Sequence, residues 1–132
     1  MGGNIETVQR IYQAFGEGDV ETIVGLCTDD VDWASEANDA VAPWHGVHHG
    51  KAEVPNFFRA LGEAVEVTEF TPLAFTEAGD DVMVVIRFRM VSRETGKGGM
   101  MELHHWWHFR DGRVDRYRGT EDTALTAALL SA

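Results

Sequence analysis

The sequence is poor in cysteine, proline and positive charge: one cysteine (Cys27), three prolines, and 11 lysines and arginines against 22 aspartates and glutamates in 132 residues. A single thiol excludes an internal disulfide and fits a reducing compartment. The deficit of basic residues leaves a formal charge of -11, which repels phosphate backbones and anionic lipid heads and argues against nucleic acid or membrane as partner. No apolar run approaches the roughly 20 residues that cross a bilayer. The start MGGNIETVQR has no basic stretch leading into an apolar signal core, so a soluble, cytoplasmic protein is expected. Repeats, linkers and low-complexity stretches are also missing. What is present is ordinary for a folded chain, with 44% hydrophobic and 25% charged residues, and the length suits one domain spanning residues 1–132 with one site.

Apolar residues recur at helical spacing in Ile5, Val8, Ile11, Tyr12 and Phe15, after Asn4 as a cap. Asp19 predicts the cap of a second short helix through Val20, Ile23, Val24 and Cys27, followed by a strand at Val31, Trp33 and Ser35. Glu36 to Gly50 reads as an irregular loop containing Pro43, Gly46 and Gly50. A third helix places Val54, Phe57, Phe58 and Leu61 on one face, with Pro55 in its first turn and an end near Gly62. The period then falls to two in Val65 to Thr76, Val82 to Arg93 and Met100 to Arg110, with turns at 79–81, 95–99 and 111–112. A last strand from Arg113 to Arg118 precedes a terminal helix around Ala124 to Leu129. Helices first and an antiparallel meander after them predict an α+β fold, with the helices on one face of a curved sheet.

Alternation assigns the faces. Val82, Val84, Ile86, Phe88 and Met90 form one inward set, and Met101, Leu103, His105, Trp107 and Phe109 another. His105 is the one imidazole among these apolar groups. The last strand is ambiguous, since Asp115, Tyr117 and Gly119 oppose Val114, Arg116 and Arg118 with no compositional bias. Trp106 and Val85 on the outer face predict a homodimer formed sheet to sheet.

Three phrases, VQRIYQAFGEGDVETIVGLCTDDVDW, PWHGVHHGKAEVPNFF and HFRDGRVDRYRGTEDTA, resemble the nuclear transport factor 2-like superfamily, in its SnoaL-like and ketosteroid-isomerase-like branch. The resemblance implies a cone-shaped curved sheet with three N-terminal helices and a C-terminal helix around a central pocket. It does not carry a reaction with it, because the superfamily hosts several chemistries. The positions that hold the tyrosine, the base and the protonated acid in ketosteroid isomerases match Ile11, Ser35 and His105. Those used by limonene-epoxide-hydrolase-like enzymes match Ile86, Phe88 and Gly119. Neither constellation is retained. The acid nearest to the base of SnoaL-like cyclases is Asp122, and the resemblance turns Tyr117 inward.

The residues therefore name a candidate site. His105 is the expected base or hydrogen-bond donor, its imidazole kept neutral by desolvation, with Tyr117 and Ser35 as orienting groups. Tyr12, Phe15, Trp33, Trp44, Phe57, Phe58, Ile86, Phe88 and Trp107 are expected to line a pocket for a flat, apolar ligand carrying one or two oxygens. The segment Trp44 to Gly50 is a candidate lid. His104 and His108 lie four apart on a strand, about 13 Å by strand rise, too far to share an ion, and no metal or cofactor is expected. Arg87, Arg89, Arg116 and Arg118 are expected to pair with carboxylates, and Cys27 to pack in the core. Two functions fit: a SnoaL-like enzyme performing proton transfer of isomerase, cyclase or hydratase type on an apolar carbonyl compound, or a non-catalytic binder of a small apolar or aromatic ligand.

Overall fold

The computed structural model describes residues 3–37 and 40–132. The elements run α1 (Gly3–Gly16), α2 (Val20–Gly25), β1 (Cys27–Ser35), β2 (Gly46–His49), α3 (Val54–Ala64), β3 (Val65–Ala78), β4 (Asp81–Ser92), β5 (Gly98–Arg110), β6 (Arg113–Thr120) and α4 (Thr123–Leu130). The strands form one curved, unclosed sheet in the order β2-β1-β6-β5-β4-β3. The α+β expectation holds. Every neighbouring pair is antiparallel except β1 and β6, which run parallel where the N-terminal strand joins the meander beside its last member.

The local signals act where physical chemistry puts them. Asp19 accepts a hydrogen bond from Thr22 N at 3.1 Å and starts α2. Asp111 and Gly112 both take positive φ, 52° and 80°, the requirement of a tight hairpin between twisted strands. Other boundaries move. Helix α1 begins at Gly3, so Asn4 lies inside it and does not cap it. Cys27 opens β1 and does not close α2. The stretch read as loop contains β2, four residues paired with β1 from Asp32↔His49 to Ser35↔Gly46. Helix α3 continues past Gly62 to Ala64.

The inward sets of β4 and β5 are buried on the side where α1 and α4 pack, with only His105 among them partly exposed. Strand β6 resolves its own ambiguity. Val114, Tyr117 and Gly119 are buried, a set that changes parity between 114 and 117 because the β5–β6 register shifts between His108 and Phe109. Each of the two alternating sets is thus inward for part of the strand.

Outside, Trp106 is 36% exposed, donates from Nε1 to Asp81 Oδ1 at 2.7 Å, and lies under the Arg116 guanidinium 5.0 Å away. Arg87 pairs with Glu69 at 2.7 Å, and Arg118 with Asp32 and Glu36 at 2.7 and 2.9 Å. Among the described residues no helix is long and apolar enough to cross a membrane.

Ile86 is fully buried at the middle of β4. Ile86→Ala should lower the unfolding free energy by about 2–5 kcal/mol, the range for deleting a packed aliphatic side chain, measured by urea denaturation; a loss below about 1 kcal/mol would place this position outside the core.

Candidate functional site

Register builds the site in two rows across three strands. In the first, Trp33 of β1 pairs with Tyr117 of β6, and Tyr117 with Trp107 of β5. The ring centroids are 4.3 Å and 4.5 Å apart, close-packed aromatic pairs of the favourable kind. In the second row, Ser35 pairs with Gly119, and Gly119 with His105. The middle member has no side chain. Tyr117 leans into that gap: a Cβ at residue 119 would stand 2.9 Å from Tyr117 Cζ, closer still to its hydroxyl, and 3.5 Å from His105 Cδ2.

Above these rows lies a hollow of about 70 Å³. His105, Tyr117 and Ser35 border it, as do Tyr12, Phe15, Trp33, Trp44, Phe57, Phe58, Phe88 and Trp107. Ile86 does not: it points the same way along β4 but is sealed in the core and reaches no open space, so its place among the lining residues is corrected. The reading from sequence missed Ile11, Leu61, Phe70, Leu103 and Glu121 on the same wall. Ser35 makes no hydrogen bond to His105 or Tyr117, so these three groups are neighbours without forming a relay.

The relay that does exist ties α1 to β5. Trp107 Nε1–H donates to Tyr12 Oη at 3.1 Å, and Tyr12 Oη stands 2.7 Å from His105 Nδ1. The Tyr12 hydroxyl, occupied as an acceptor by the indole, finds no acceptor for its own proton among the described residues except Nδ1. A buried hydroxyl donates where it can, so Nδ1 carries the lone pair and Nε2 carries the proton. Burial pushes the His105 pKa down to about 3, with His104 adding to the shift. Burial likewise raises the phenols of Tyr12 and Tyr117, so both stay protonated. His105 Nε2 and Tyr117 Oη have no partner among the described residues, yet neither belongs to the sealed unpartnered atoms, which are Asp32 Oδ1, Trp33 Nε1 and His48 Nδ1. Both keep access to open space, whereas the unpartnered Trp33 Nε1–H in the same wall is sealed from it.

The acid at the hollow is Glu121. Asp122, the acid singled out by resemblance, accepts from Leu125 N at 3.0 Å and caps α4. Glu121 receives Trp44 Nε1–H at 3.1 Å, the His45 imidazole at 2.9 Å and the Thr126 hydroxyl. Burial alone would raise its pKa, but the hydrogen bonds from His45, Thr126 and Trp44 outweigh it and hold the carboxyl below its ordinary value. Alternation through Tyr117 and Gly119 reaches Glu121 next, so the signal was there to be followed.

The other histidines are dispersed. His104 contacts Glu102 and His108 contacts Asp115 on the outer side, and His48 packs on Phe57. Among the described residues no His, Cys, Asp or Glu group is arranged to hold a metal ion. Cys27 donates to Ile23 O, and burial pushes its thiol up to about 12, which leaves it unreactive.

Three outcomes follow. Long-range nitrogen–proton NMR should show His105 as the Nε2–H tautomer and neutral at pH 5; an Nδ1–H signal, or a charged ring there, would break the relay. Because the folded pKa lies near 3 and the unfolded one near 6.5, the unfolded chain takes the proton first. His105 therefore costs stability as pH falls from about 6.5 toward 3, a loss that His105→Phe should lessen. Gly119→Ala should displace the Tyr117 ring, change the near-ultraviolet circular dichroism and cost about 1–3 kcal/mol; an unaltered spectrum would show that the gap is not needed.

Comparison with known proteins agrees with this architecture. No protein with a curated description matches the chain. An NTF2-like protein of unknown function from Burkholderia pseudomallei is 27% identical over 100% of both chains, with a TM-score of 0.92. TerC, co-crystallized with polyporic acid, is 25% identical over 98% of this chain and 99% of its own, with a TM-score of 0.89. A Jannaschia protein named for the SnoaL-like polyketide cyclases is 20% identical over 98% of this chain and 92% of its own, with a TM-score of 0.82, a likeness of fold. The family profile described as SnoaL-like domain matches residues 8–117, and the chain belongs to that family, within the NTF2-like fold.

Proposed function

We propose that the hollow holds a small, neutral, largely apolar molecule by an oxygen acceptor, with His105 as hydrogen-bond donor to that oxygen and not as a base. The observation that carries this reading is the Trp107–Tyr12–His105 relay: it spends the Nδ1 lone pair and leaves Nε2–H to donate. Tyr117, protonated throughout the physiological range, supplies a second donor. Two donors with no cation among the described lining residues suit the neutral oxygen of a carbonyl. An anionic ligand would meet Glu121 and the chain's charge of -11.

Chemically, two donors on a carbonyl oxygen stabilise the negative charge that develops there when a proton passes from the adjacent carbon to solvent water or hydroxide. That is the proton-transfer chemistry expected of an isomerase- or cyclase-like enzyme, and the family membership and the polyketide-cyclase name of one fold neighbour support it. TerC supports the use of this fold for small organic ligands. A second reading, retention without turnover, has its own observation. Among the described lining residues no base is free, since His105 Nδ1 accepts from Tyr12 and Glu121 accepts from three donors.

Acetophenone and ethylbenzene, matched in shape and differing in the oxygen, test the binding mode. Wild-type protein should prefer the ketone by about fivefold, the worth of one hydrogen bond near 1 kcal/mol, and His105→Phe should erase the preference; equal affinities in the wild type would remove the proposal. Exchange of the ketone's methyl protons in D2O, followed by NMR, separates the two readings: acceleration over buffer marks catalysis, and its absence marks a binder.

A further inference from the structure

We infer that Glu121 is a positioning residue that latches one wall of the hollow, and that a ring-sized ligand is accommodated only when Trp44 and His45 leave its carboxylate. The inference rests on reading the hollow as a ligand site. At about 70 Å³ the hollow has roughly half the volume of the ~150 Å³ cavity that accepts benzene, so a wall must move to make room for a ring. The floor cannot yield cheaply, because Trp33, Tyr117 and Trp107 are buried, stacked on one another and fixed by the registers of three adjacent strands.

The wall made by Trp44 is different. It lies in the turns at 40–45 that lead into β2, and its indole N–H and Nε2 of the next residue's imidazole both end on Glu121. Glu121 is itself held from the far side. It follows β6 directly, and Thr126 on the first turns of α4 donates to its second oxygen. One carboxylate thus fastens an irregular segment to two regular elements. The bonds are charge-assisted, stronger than neutral ones, and they are made around a partly buried group where water competes poorly. Glutamine in its place would keep the shape and lose the charge. Its carbonyl can still accept from Trp44 and His45, and its amide N–H can donate to the Thr126 hydroxyl, whose own proton then goes to Asp122 O. The variant thus weakens the two bonds by removing their charge assistance alone.

Two readouts on the full chain test this. In Glu121→Gln, amide hydrogen exchange across residues 44–49 should accelerate about tenfold while exchange in β4 and β5 is unchanged. Stopped-flow binding of acetophenone, followed by tryptophan quenching, should show association and dissociation both about tenfold faster, with the Kd moved less than about threefold. Trp44→Phe, which keeps the apolar wall and removes one donor, should move both readouts the same way by a smaller factor and guards against a folding defect in the first variant. Exchange or binding rates equal to wild type in both variants would overturn the latch. Failure of wild-type protein to bind acetophenone would instead overturn the reading of the hollow, and the gate with it, whereas binding at unchanged rates overturns the gate alone.

Discussion

The Tyr117 hydroxyl occupies space that exists because residue 119 lacks a side chain, and the ring below it is clamped between two indoles on neighbouring strands. The site depends on this arrangement. A bulky residue in the middle of the second row would fill the gap and separate His105 from Tyr117. With glycine there, strand alternation alone produces a dense aromatic floor and, one step higher, an opening bordered by polar groups. Packing and chemistry are thereby set by the same three registers.

The lining holds groups of two unlike kinds. His105 and Tyr117 are neutral, because desolvation disfavours an imidazolium and a phenolate alike. Glu121 retains a charge, because three donors repay its burial. The relay through Tyr12 couples α1 to β5 and fixes which imidazole nitrogen bears the proton. A substitution at Trp107 would therefore act on His105 through the Tyr12 hydroxyl, and one at Tyr12 directly, each by freeing the tautomer that the relay fixes.

Much of this was legible in the residues. Strands β4 and β5 alternate without interruption, so their buried faces, His105 included, follow from period two. Strand β6 was not legible because its bulge shifts parity between Val114 and Tyr117, and no composition signal marks where a bulge falls. Phe70 escaped notice for the same reason, since β3 shifts register between Val67 and Glu69 and again between Pro72 and Ala74. Strand β2 is four residues long and is defined by its partner more than by its own side chains. Glu121 lay one step beyond the pattern of Tyr117 and Gly119, but its neighbour Asp122 drew attention through resemblance and turned out to serve the helix.

The parallel contact between β1 and β6 joins the beginning of the chain to its end. Strand β1 can pair with β2 early in synthesis, and Trp33 can pack on Phe57 and Phe58, but β1 reaches Tyr117 only once β6 has left the ribosome. The contacts that complete the floor of the hollow thus span a long stretch of chain, and a chain lacking β6 would lack that floor even where its central hairpin had already folded.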